Sequence, residues 1–128
     1  SLRTEATAAV SPGQADGWQP WSPERQAQAL AEGRPVFVDF TAAWCVTCQY
    51  NKRTTLASEA VKAEFAAKNV LLLRADWTRR DAAITAELGR LGRSGVPVYA
   101  VYTPGAAGPR LLSEILSVDE VRGAFAAN

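Results

Sequence analysis

Two cysteines, Cys45 and Cys48, stand three residues apart in the segment Trp-Cys-Val-Thr-Cys, and the 128-residue chain has no other cysteine, no histidine and no methionine. Cysteines at this spacing serve three kinds of chemistry: a stabilising cross-link, soft-metal ligation, or reversible thiol-disulfide exchange. A cross-link that closes so short a loop stabilises little in the chain-entropy model. Structural zinc takes four ligands, so two thiolates per chain would require a dimer. A Cu(I) carrier is a nearer rival, because two soft thiolates can hold that ion, although such sites commonly recruit the methionine or histidine this chain lacks. Exchange asks for an attacking thiolate and a second thiol close enough to displace it.

A strand-to-helix junction positions the pair. The run Pro-Val-Phe-Val-Asp-Phe-Thr-Ala, residues 35 to 42, is rich in β-branched and aromatic residues and predicts a strand buried on both faces, with Asp39 its one charge. After Ala43 the pattern turns helical through Cys48 and Leu56, with a restart capped by Ser58. A helix N-terminus carries partial positive charge and free N–H groups, which favour thiolate over thiol at Cys45. Cys45 is then the exposed nucleophile and Cys48, one turn inside, the resolving thiol. The dipeptide between them, Val46-Thr47, tunes the pair. Lys52, two turns beyond Cys45 on the same helix face, either favours the thiolate or is simply solvated.

The remaining elements alternate. Residues 1–17 lack apolar periodicity and predict a flexible linker, leaving 18–128 as one domain. Ser22, Pro23 and Gly33 punctuate a first helix over about 23–32, and Trp18 and Trp21 flank Pro20 as packing that fixes how the chain enters it. A second buried strand spans 69–76 and a helix about 80–91. A third strand follows at 96–103, a turn at 105–109, a fourth strand at 110–115, and a closing helix capped by Ser117. The pattern predicts an α/β fold, a central mixed, mainly parallel sheet flanked by helices, with an antiparallel edge. Trp77 has no assignment.

Composition bounds the partners. Hydrophobic residues make up 48% and charged residues 21%, with a formal charge of +1. Bulk charge therefore recruits neither nucleic acid nor a membrane surface. No run approaches the ~20 apolar residues a spanning helix needs. The opening residues show neither an initiating methionine nor the apolar core of a signal peptide, so the chain is expected to be part of a longer protein.

Three separated features resemble the thioredoxin superfamily: Val-Asp-Phe-Thr-Ala-Ala-Trp-Cys-Val-Thr-Cys, Asp39 six residues before Cys45, and Ser-Gly-Val-Pro-Val-Tyr at 94–99. The likeness runs from about Pro35 to Phe125 and implies a thioredoxin-like fold. A closer resemblance, carried by residues 35–65, 69–81 and 88–105, is to the C-terminal periplasmic domain of the DsbD/ScsB-type membrane electron transporters. That likeness implies a protein-disulfide reductase domain with no bound cofactor or metal, soluble, monomeric and periplasmic. Electrons would arrive from a transmembrane domain of the same protein and leave to an N-terminal partner domain or periplasmic thiol proteins. An oxidase or isomerase of the same fold stays open, because reduction potential decides direction.

Residue roles follow from the same resemblance. Asp39, if buried, has a raised pKa and serves as proton acceptor for Cys48 through a water; on an edge strand it would simply meet solvent. Val96 and Pro97 form the substrate-binding loop, with a cis bond by family likeness and a trans bond by the ordinary expectation for X-Pro. Trp44 contacts substrate and shields the sulfurs, or fills core.

Overall fold

Ser22 opens the first helix as the punctuation requires: its hydroxyl accepts the Arg25 N–H at 3.0 Å, and Pro23 starts α1 (Pro23–Ala31). Gly33, at φ +80°, turns the chain out of it. The computed structural model describes residues 16–126, so the linker expected over residues 1–17 lies almost wholly outside the described residues.

The apolar runs form a five-stranded sheet. A two-residue strand, β1 (Gln19–Pro20), precedes α1; β2 (Val36–Thr41) and β3 (Leu71–Asp76) follow, then β4 (Val98–Tyr102) and β5 (Arg110–Leu111). Their order across the sheet is β1-β3-β2-β4-β5. β3 pairs in parallel with both β1 and β2, and β4 pairs antiparallel with β2 and β5, so β4 alone runs against the other four. β2 is central, and all six of its residues are buried. Asp39 sits opposite Arg74 on one side and Tyr99 on the other.

Helices cover both faces. α2 (Val46–Arg53), a 3-10 turn at Thr55–Ala57 and α3 (Glu59–Ala67) follow β2; α4 (Ala82–Arg90) links β3 to β4; α5 (Val118–Gly123) closes the domain. One core layer gathers Val36, Val38, Phe40, Leu73 and Leu88, and the other Phe37, Val61, Phe65, Tyr99 and Val121. The alternation of β2 between the two layers is the period-2 signature of a strand read from both sides.

Five details differ from expectation, the first being that β4 covers only Val98–Tyr102 of the expected 96–103, because the cis Val96–Pro97 bond precedes it. β1 was not anticipated; Trp18 packs against Phe37 on one face of the sheet and Trp21 against Phe40 on the other, so the two indoles clamp the edge strand. Residues 69 and 70 precede β3, because Asn69 takes a left-handed φ of 54°. α4 starts at Ala82, two residues late, because Asp81 caps it and Arg80 is left-handed at φ 51°. The strand expected over 110–115 pairs only at Arg110–Leu111 before the chain turns toward the side chain of Asn51.

Candidate active site

β2 delivers the chain through Ala42 to Cys45, which is the N-cap of α2. Cys45 and Cys48 are joined in a disulfide with their Cα atoms 5.2 Å apart, and the Cys48 N–H donates to Cys45 Sγ at 3.1 Å. That N–H is one of the unpaired donors of the first helical turn, so it meets the sulfur where negative charge would be most favoured. Cys48 is fully enclosed, whereas Cys45 keeps 8% of its surface. Cys45 is thus less open than the sequence suggested, but it is the one of the pair that reaches solvent. Val46 at the first helical position is 83% exposed, and Thr47 is half-buried.

The Val96–Pro97 bond is cis, and the side chain of Val96 packs against a small cluster of Ala42, Cys45 and Cys48. Pro97 is buried immediately before β4. The structure therefore brings together the dithiol and the loop that lies some fifty residues downstream.

Trp44 is not core: it is 49% exposed, and its Nε1 donates to the Thr78 carbonyl at 3.1 Å. Its ring lies 6.1 Å from that of Trp77, which is buried and donates Nε1–H to Thr85 Oγ1. Thr78 Oγ1 accepts the Ala43 N–H at 2.9 Å and donates to Asp76. Residues 77–78 thus buttress the loop that carries Cys45, a role for Trp77 that a single aromatic after a strand does not announce.

Asp39 is fully buried in the central strand, which overturns the edge alternative. Burial pushes its carboxyl pKa up, partly opposed by the positive charges of Lys52 and Arg74. Lys52 donates to Thr41 Oγ1, and its own pKa is lowered by burial, partly offset by Asp39. Its charge acts on the buried carboxyl rather than standing free in solvent.

Asn51 escaped the sequence reading. Fully buried, it donates Nδ2–H to Tyr99 Oη at 2.9 Å and to the Glu114 carbonyl at 2.7 Å, and accepts the Leu116 N–H at 3.2 Å. Its signal was positional: Cys48, Asn51 and Thr55 recur at three and four residues, the inward face of a helix.

A dithiol capping the helix fed by the central strand of such a sheet, packed against a cis-proline loop, defines a thiol:disulfide oxidoreductase of thioredoxin fold. The chain belongs to the thioredoxin-like family, whose model matches residues 17–104. It is 44% identical over 74 residues to the thiol:disulfide interchange protein DsbD of Ralstonia nicotianae, covering 58% of this chain and 12% of that protein. With DsbD of Yersinia enterocolitica it shares 36% identity over 85 residues, 65% of this chain and 14% of that one. The chain thus spans about an eighth of the length of these relatives. The fold is that of the C-terminal domain of Neisseria meningitidis DsbD in its reduced form, with a TM-score of 0.67 at 23% identity over 80% of this chain and 89% of that one. Among the described residues no helix is long and apolar enough to cross a membrane.

Proposed function

We propose that the domain is a protein-disulfide reductase that relays electrons from a membrane-embedded partner domain to disulfides of other proteins in the periplasm. The asymmetry of the pair carries this reading: Cys45 reaches the surface with a helix N–H on its sulfur, while Cys48 is sealed one turn behind. In the reduced domain the Cys45 thiolate attacks a partner's disulfide; a mixed disulfide forms and one partner thiolate leaves. Asp39 takes the proton of Cys48 through a water. Cys48 then attacks Cys45 Sγ, the intermolecular bond breaks, and the second partner thiolate leaves and is protonated. The partner disulfide has gained two electrons, and Cys45–Cys48 is the oxidised product.

Val96 and Pro97 offer backbone for an extended substrate segment beside the sulfurs, Trp44 supplies an exposed aromatic contact, and Val46-Thr47 tunes the potential. No cofactor is required, because the dithiol itself stores the electrons. Reloading comes from a dithiol of a transmembrane domain in the same full-length protein, and the oxidised targets are its N-terminal domain or periplasmic thiol proteins. The thiol:disulfide interchange named for the DsbD relatives supports the exchange chemistry of this reading.

The test is the equilibrium reduction potential in a dithiothreitol or glutathione buffer. Within the roughly −270 to −120 mV range of such proteins, a reductase belongs at the low end. A potential near −120 mV would make the domain an oxidant.

A further inference from the structure

Beside the disulfide, the loop after β3 holds a cation that forms no ion pair among the described residues. The Arg80 guanidinium lies 4.9 Å from the ring centroid of Trp44 and 5.2 Å from that of Trp77. Among the described residues it forms no ion pair and none of its N–H groups has an acceptor. The nearby acids in the chain form no ion pair with it: Asp76 Oδ1 accepts from the N–H and hydroxyl of Thr78, and Asp81 Oδ1 accepts the Ile84 N–H as the cap of α4. The backbone of Arg80 is itself specialised, at φ 51° in the left-handed region uncommon for a residue with a side chain, and its N–H donates to the Trp77 carbonyl at 2.9 Å.

Two indoles therefore hold a planar cation in place on the flank of the residue that precedes Cys45. A guanidinium offers paired N–H donors in a fork that matches a carboxylate, and prior immobilisation reduces the entropy lost on pairing. We propose that Arg80 is a docking residue for a carboxylate of the partner protein, so that the preferred substrate is an extended segment with an aspartate or glutamate close to its reacting cysteine. The inference rests on the exchange reading above and adds the chemistry of the partner to it. Trp44 and the exposed Val46 supply apolar contact for the same segment, and the carboxylate sets its register.

The reduced domain is mixed with synthetic disulfide peptides that differ only by glutamate or glutamine at one position within two residues of the cysteine, at about 50 mM salt. For at least one position the acidic peptide reacts about fivefold faster than its neutral twin, the upper end of what one exposed charge pair contributes. Arg80→Gln brings that ratio close to one, and Arg80→Lys, which keeps the charge without the fork, leaves it in between. Each ratio is taken within one variant, so a general loss of activity cancels. A ratio near one in the unaltered protein at every position, or an undiminished ratio in Arg80→Gln, overturns the proposal. If no peptide reacts at all, the exchange reading itself falls and this one with it.

Discussion

Arg74 Nε stands 3.5 Å from Asp39 Oδ2, yet among the described residues neither carboxylate oxygen nor the Nε–H has a hydrogen-bond partner. The ion pair is made without hydrogen-bond geometry, and the central strand holds a carboxyl whose burial is only partly compensated by Lys52 and Arg74. Burial dominates, and the folded-state pKa lies above its ordinary value.

The sign of the resulting stability follows from linkage. A raised pKa means that the folded state binds the proton more tightly, so the Asp39 contribution is fully present below the unfolded pKa and is lost as pH rises through the folded one. Asp39→Asn, which removes the titrating charge, should therefore stabilise the oxidised domain at neutral pH relative to the unaltered protein. The gain should shrink toward zero near pH 4. Urea unfolding of both proteins at a series of pH values measures it; a gain of equal size at pH 7 and pH 4 would contradict the linkage.

The same substitution should slow exchange while it stabilises the fold. If Asp39 takes the Cys48 proton, its loss lowers the rate at which a mixed disulfide on Cys45 resolves by about 10²-fold at pH 7. Single-turnover kinetics with a preformed mixed disulfide isolates that step from the initial attack. An unchanged resolution rate would remove Asp39 from the proton path.

Lys52 favours the ionised form of Asp39 across the α2–β2 contact. Lys52→Gln removes that charge and keeps a donor for Thr41, so Asp39 should hold its proton to still higher pH. If Asp39 takes the Cys48 proton, the half-maximal point of the resolution rate should move upward in pH. A downward shift would mean that Lys52 acts elsewhere.

Asn51 ties α2 to Tyr99 and to the segment before α5 through three hydrogen bonds. Asn51→Ala strips a partner from the buried Tyr99 hydroxyl, the buried Leu116 N–H and the Glu114 carbonyl and should cost about 2–4 kcal/mol in urea unfolding. Asn51→Asp should be no milder, since it substitutes acceptors where two donor bonds are needed.

Much of the scaffold was legible because each signal was local. Ser22, Ser58 and Ser117 each accept the N–H three residues on, and the apolar run at 36–40 is the central strand. The junction that places Cys45 and Cys48 followed from those two facts. What stayed hidden depended on distant partners. β1 is two residues long and exists through its pairing with β3. The end of β5 is set by a side chain on α2, and the work of Trp77 and Arg80 becomes visible only when the loop after β3 folds against Trp44. Lys52 was placed on the correct helix, but its neighbour is a carboxyl on β2, which no helical spacing reveals.

In the proposed exchange the two cysteines divide the labour, and trapping separates their roles. Cys48→Ser, reduced and mixed with an oxidised partner domain or a model protein disulfide, should accumulate a covalent complex on non-reducing gels that dithiothreitol dissolves. Cys45→Ser, treated identically, should accumulate none, because its remaining sulfur is enclosed. Equal trapping by the two variants, or trapping by Cys45→Ser alone, would contradict the assigned roles.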